Sequence, residues 1–143
     1  MKVVAFTPAH LATLNLQAAQ AYFGQQLSDA EYGRSLVESG PCFTALDGDT
    51  VLACAGVHEI WDNRAMAWAL ISQSAGRHMV SIHRAVRGFL MQAKYRRIEA
   101  TVDAGFEEGR RWADMLGFVC ETPQPMRAYT PAGGDCYLYA RVK

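Results

Sequence analysis

The sequence predicts an α/β (α+β) domain built on a mixed, mostly antiparallel sheet, and three features carry that prediction. Apolar residues recur at helical spacing near the N-terminus, at Leu11, Leu14, Ala18, Ala21 and Tyr22, and again at Met79, Ile82, Val86, Phe89, Leu90 and Ala93. Between these helices two apolar runs, Cys42–Leu46 and Thr50–Val57, flank Asp47-Gly48-Asp49, a hairpin signature because glycine accepts a positive φ in the turn. Finally, a strand (Ala65–Ser72), a long helix from Met79 and a strand (Arg97–Val102) follow one another. Such a crossover unit places its two strands parallel.

With 143 residues, 50% of them hydrophobic, the chain reads as a single domain over 1–143 with one core. Fourteen basic residues balance fourteen acidic ones, so the overall charge argues against nucleic acid or an anionic membrane surface as partner. No apolar run approaches the roughly 20 residues of a membrane span, and Thr7-Pro8 interrupts the only apolar run near the N-terminus, so a cytoplasmic location is expected. Cys42, Cys54, Cys120 and Cys136 are far apart and form no Cys-x-x-Cys pair, which predicts reduced thiols and no zinc. His78 and His83 are five apart, off a common helix face, and no metal is expected there either.

The elements follow in order. Val3–Phe6 is a short strand. Thr7 as N-cap and Pro8 at N1 start a helix predicted to run to about Phe23, with Gly24 as its stop. Ser28-Asp-Ala-Glu31 is a capping box for a second helix, with Tyr32, Leu36 and Val37 inward and Gly40-Pro41 ending it. The strand from Thr50 continues to Trp61, and Asp62-Asn63 turns into Ala65–Ser72, completing an antiparallel meander. After the long helix, with Arg84 and Arg87 outward, and the parallel strand, Phe106–Leu116 forms a helix closed by Gly117. Phe118–Thr122 and Met126–Tyr129 form a strand interrupted by Pro123 and Pro125, and Cys136–Val142 is the last strand. Glu99 and Asp103 read as solvated strand ends, and Trp61, Trp68 and Trp112 as packing residues.

The junction Gln73-Ser-Ala-Gly76-Arg77-His78 between strand and long helix suits an anion. The first N–H groups of a helix lack intrahelical partners, the helix dipole favours negative charge there, Gly76 admits close approach, and Arg77 and His78 add cationic donors.

The order of elements, the Gln73–His78 turn and the helix ending Met115-Leu-Gly117-Phe118 together resemble the GNAT acetyltransferase family over nearly the whole chain. The resemblance implies a mixed sheet with helices on both faces and acetyl-coenzyme A held where the third meander strand and the parallel strand splay apart. It implies pantetheine paired to backbone along Leu70, Ile71 and Ser72 and pyrophosphate on the N–H groups of Ala75 to His78. The coenzyme-binding set is then Leu70, Ile71, Ser72, Gln73, Ala75, Gly76, Arg77, His78 and Met79. The implied reaction is direct attack of an amine, from a small molecule or a peptide, on the thioester in a ternary complex, with an N–H near Leu70 holding the oxyanion.

Three residues the family commonly uses are replaced. Ala113 stands where a tyrosine acid is usual, Phe106 where an asparagine is common, and the strand Ala65–Ser72 lacks a glutamate. Glu59, with His58 beside it, is the candidate base and Tyr129 the candidate acid; the plain readings are an exposed strand-end charge and a hairpin packing residue. The acceptor pocket implied by the resemblance takes in Tyr22, Phe23, Tyr32 and Tyr129. A second reading stays open: the chain is similar to short GNAT-like proteins of tailed phages and prophages, which implies a virion or assembly module with virion proteins as partners and weak or no catalysis. The strand edge at the final hairpin allows a homodimer.

Overall fold

The computed structural model describes residues 1–17, 20 and 29–143. Seven strands, β1 (Lys2–Ala5), β2 (Cys42–Asp47), β3 (Thr50–Trp61), β4 (Arg64–Ile71), β5 (Arg97–Asp103), β6 (Val119–Cys120) and β7 (Cys136–Val142), lie in the order β1-β2-β3-β4-β5-β7-β6. The helices among the described residues are α1 (Pro8–Ala12), α2 (Ala30–Ser39), α3 (Met79–Gln92) and α4 (Glu107–Met115), with a 3₁₀ turn at Gln73–His78. This is the mixed, mostly antiparallel architecture expected. None of these helices is long and apolar enough to cross a membrane. The residues group into two units, Met1–Glu59 with Ala67–Ala93, and Ile60–Met66 with Lys94–Lys143.

In the first unit the meander forms as predicted. β1 pairs antiparallel with β2, β2 with β3, and Gly48 takes a φ of 59° at the tip of the β2–β3 hairpin. The core gathers Phe6, Leu11, Leu14, Leu16, Leu36, Val51, Cys54 and Leu70, with Trp68 packed against it. α3 buries Ile82, Val86 and Leu90 and leaves Arg84 and Arg87 exposed, the amphipathic pattern of its sequence. Gly40 is required by close approach, since a Cβ there would lie 2.4 Å from Val57 O.

Two helical expectations are corrected. The helix from Pro8 stops at Ala12 instead of reaching Phe23. Past Thr13 the backbone binds the end of β4: Gln73 N donates to Asn15 O at 2.8 Å, Gln17 N donates to Ile71 O at 2.9 Å, and Leu16 bridges Ser72. These tertiary hydrogen bonds take the groups that would have continued the helix, so the apolar spacing was not sufficient evidence of length. Ala18, Ala21, Tyr22, Phe23, Gly24 and Ser28 lie outside the described residues. The second helix is capped by Asp29, whose side chain accepts from Glu31 N at 2.9 Å, and Val37 points outward at 45% exposure.

In the second unit β4 runs parallel to β5 through Arg64↔Arg97, Ala65↔Ile98 and Met66↔Glu99. β7 pairs antiparallel with β5 on one side and β6 on the other. Gly117, at a φ of 90°, ends α4 between buried Leu116 and Phe118. The predicted strand Met126–Tyr129 is reduced to a single bridge, Met126↔Cys136, as expected of a segment behind Pro123 and Pro125.

Glu99 is not a solvated strand end. It is 4% exposed and accepts from Arg64 Nε at 2.6 Å and Nη2 at 3.0 Å, and from Arg97 Nε at 2.7 Å. Arg97 also donates to Glu121, and Arg64 lies 4.9 Å from the Trp61 ring. The two guanidinium groups, Arg64 foremost, hold the Glu99 carboxyl down at about 2 against an ordinary 4.5. A carboxylate lowered in the folded state stabilises fully above pH 4.5 and loses that contribution as pH falls towards about 2. Glu99→Ala, which leaves Arg64 without its carboxylate and Arg97 with Glu121 alone, is predicted to cost about 3 kcal/mol in urea titration at pH 7. It should also flatten the acid limb of the stability–pH curve; an unchanged acid limb would place the pH dependence elsewhere.

Candidate functional site

The candidate site grows from the C-terminal end of β4. Ser72 N donates to Leu52 O at 2.8 Å, so Ser72 faces β3; by strand alternation the N–H and C=O of Ile71 and Ala69 face the other way. That outer edge is occupied. Ile71 N donates to Gln20 Oε1 at 2.9 Å, Gln20 Nε2 donates to Ala69 O at 2.7 Å, and Ile71 O accepts from Gln17 N. Leu70, Ile71 and Ser72 are all buried, which makes each of these backbone groups costly to leave unpaired.

Beyond Ile71 the chain winds into the Gln73–His78 turn. Ser72 caps it: its Oγ accepts from Ser74 N at 3.0 Å and its carbonyl from Ala75 N at 3.1 Å, while Ala75 is buried beneath. A Cβ placed at Gly76 would meet no heavy atom within 4 Å, and Gly76 does not need a positive φ. Among the described residues nothing demands glycine at that position, and none fills the space beside it. Met79 then opens α3, with its dipole directed at the turn.

The two cations of the turn are engaged by Asp47 from the β2–β3 hairpin. Arg77 Nη2 lies 3.3 Å and His78 Nε2 3.2 Å from Asp47 Oδ2, and the Arg77 hydrogen bond, seconded by His78, holds the Asp47 carboxyl below its ordinary range. Arg77 is 81% exposed, so an incoming anion meets a guanidinium whose carboxylate partner among the described residues, Asp47, is itself exposed and readily released. Sequence reasoning missed Asp47 because it read that residue only as a turn former; the hairpin tip and the Gly76 turn are distant in sequence.

No family model and no curated protein matches the sequence. Solved structures do match the fold. An N-acetyltransferase from Staphylococcus aureus Mu50 superposes with a TM-score of 0.73 at 8% identity, over 99% of this chain and 96% of that one. A GNAT-family acetyltransferase from Bacillus anthracis gives 0.70 at 14% identity, over 98% and 93%. A ribosomal-protein-S5-alanine acetyltransferase from Vibrio fischeri gives 0.65 at 15% identity, over 98% and 91%. The fold is that of the GNAT acetyltransferases. At these identities the likeness is one of fold.

The sequence-derived site residues distribute unevenly within this GNAT fold. Leu70 to Met79 form one continuous track in the first unit. Glu59 is exposed on β3 of the same unit, seven residues past Leu52 and therefore about 16 Å beyond the level of Leu70 at about 3.3 Å per residue. His58 is half-buried with its ring 6.3 Å from Trp68, and burial pushes its pKa below 6.5, favouring the neutral imidazole. Trp68 also packs edge-on to Phe6 at 5.8 Å, and its buried indole N–H has no partner among the described residues. Tyr129 belongs to the second unit, 49% exposed, its N–H donating to Gly134 O at 2.8 Å. Ala113 is buried and offers no proton. Also in the second unit, a cleft of about 360 Å³ is lined by Trp61, Asn63, Arg64, Arg96, Arg97 and Val142, but Arg64 and Arg97 there are already neutralised by Glu99 and Glu121.

The open space at Gly76 gives a direct test of why glycine stands there. Gly76→Ala is predicted to leave stability unchanged or raise it by about 0.5 kcal/mol, by restricting the unfolded chain. Gly56→Ala, whose Cβ would sit 2.4 Å from Cys42 Cβ, is predicted to destabilise by more than about 1 kcal/mol. Urea titration of both variants separates the two cases.

Proposed function

We propose that the chain binds acetyl-coenzyme A along the outer edge of β4 and the Gly76 turn, and transfers the acetyl group to an amine by direct attack. The observation that carries this reading is the continuity of the track. A strand edge that offers Ala69 O and Ile71 N to an amide leads without interruption to a turn with open space at Gly76, an exposed arginine and the start of a 14-residue helix. An extended ligand with amides at one end and phosphates at the other fits that sequence of groups. The GNAT fold places the same elements in the same order.

In the proposed reaction the neutral amine attacks the thioester carbonyl, the oxyanion is held by an N–H of the Ala69–Ile71 edge, the C–S bond breaks and the thiolate leaves with a proton. The amine's ammonium proton leaves first. Glu59, about 16 Å along β3, is beyond the reach of a single water and receives the proton through a chain of several waters, while His58, adjacent in the strand, points to the opposite face. The thiolate takes its proton from solvent. A peptide or small-molecule amine is the acceptor, in line with the alanine substrate in the name of the Vibrio fischeri neighbour. Ala113 favours a second reading, in which the chain keeps the coenzyme but turns it over slowly or not at all, as a binding or assembly module.

Acetyl-coenzyme A at about 100 times its dissociation constant is predicted to stabilise the fold by roughly 2.7 kcal/mol, read as a rise in melting temperature. Gly76→Glu, which sets a carboxylate where the phosphates belong, is predicted to abolish that rise while folding normally; no rise in the wild type at millimolar ligand would refute coenzyme binding. Thiol release with a panel of amines separates turnover from binding alone. In that assay Glu59→Gln is predicted to lower kcat by about 10²-fold with coenzyme affinity unchanged, and unaltered kcat would remove Glu59 from the proton path.

A further inference from the structure

Gln20 occupies the β4 edge in the manner of a ligand. Its carboxamide donates through Nε2 to Ala69 O at 2.7 Å and accepts through Oε1 from Ile71 N at 2.9 Å, the two groups that flank Leu70 on the side away from β3. In a parallel ladder one partner residue does the same thing, donating to the residue before and accepting from the residue after the one it faces. The side chain is itself held: Gln17 Nε2 donates to Gln20 Oε1 at 3.1 Å and Gln20 N to Gln17 O at 3.0 Å. Gln17 N remains on Ile71 O, and Leu16 is anchored in the core, so among the described residues Gln20 alone pairs Ala69 O and Ile71 N, and withdrawal of its side chain frees both.

We infer that Gln20 is an intramolecular stand-in for a ligand amide, which closes the β4 edge in the empty protein and must leave it when coenzyme A binds. The inference rests on the proposed coenzyme site. Pantetheine carries two secondary amides separated by two methylenes; each trans amide points its N–H and C=O in opposite directions, so the N–H of one and the C=O of the other together supply what the Gln20 carboxamide now does. The exchange conserves hydrogen bonds at Ala69 and Ile71, so the buried edge is satisfied in both states. Its cost appears as a weakened apparent affinity, reduced by the fraction of molecules in which Gln20 has already withdrawn. Gln20 therefore sets the discrimination of the site: ligands with an amide at this position displace it, and nucleotides without one do not.

The test titrates acetyl-coenzyme A and adenosine 3′,5′-bisphosphate, which has no pantetheine, into the wild type and Gln20→Ala. Acetyl-coenzyme A is expected to bind the variant about tenfold more tightly, with the bisphosphate unchanged. Equal acetyl-coenzyme A affinities would overturn the stand-in and leave the coenzyme site in place. Failure of both proteins to bind acetyl-coenzyme A would overturn the site and the stand-in together. A parallel measurement needs only the wild type: the Gln20 side-chain NH₂ resonances are expected to shift to solvent-like values on saturation with acetyl-coenzyme A and to stay put with the bisphosphate. Resonances that remain fixed in the coenzyme complex would refute displacement.

Discussion

The outer edge of β4 at Ala69 and Ile71 calls for hydrogen-bond partners, because Ile71 is buried and Ala69 half-buried beside buried Leu70, and an unpaired backbone group there is costly. Much of the first unit follows from that constraint. The chain leaves α1 early to bring Asn15, Leu16 and Gln17 to the end of β4, and Gln20 completes the pairing. Ser72, facing the opposite way onto Leu52, then starts the turn that places Gly76 and Arg77. An edge satisfied by a side-chain carboxamide differs from one satisfied by a neighbouring strand, since a side chain is exchanged by rotation about its own bonds.

Charge is handled differently in the two units. Around Glu99 the ion pairs are sheltered, bidentate and shared, and they lock the parallel pairing of β4 with β5 and link it to Glu121 beyond β6. Around Asp47 they are longer and exposed, at 3.2–3.3 Å. Buried charge-assisted bonds are costly to break, whereas exposed ones yield readily to a competing anion. The first cluster has the properties of a structural clasp and the second those of a placeholder at the proposed binding turn.

The sequence made the strands legible because each is written in short-range chemistry: Asp47-Gly48-Asp49 between two apolar runs, Gly117 after a helical stripe, and a long amphipathic helix that forces a crossover. The track Leu70–Met79, proposed as the coenzyme site, is one contiguous segment, so its continuity is written in the sequence too. What escaped was set by partners far apart in the chain. Leu11 and Leu14 have helical spacing, yet the backbone past Thr13 is claimed by β4, more than fifty residues away. Glu99 reads as a solvated strand end until Arg64 and Arg97 arrive on either side, and nothing in the sequence around Gln20 marks it before Ala69 and Ile71 are placed beside it. Polar residues carry little periodic signal, so their tertiary roles are the part a pattern does not contain.

The central claim is that the β4 edge and the Gly76 turn form one binding track. Backbone amide chemical-shift mapping during titration with acetyl-coenzyme A addresses it most directly. Perturbations are expected to concentrate in Ala69–Met79, strongest at Ile71 and Gly76, with Gln17 and Gln20 following. Perturbations centred instead on the Trp61–Arg96–Arg97 cleft, or none at millimolar ligand, would contradict it.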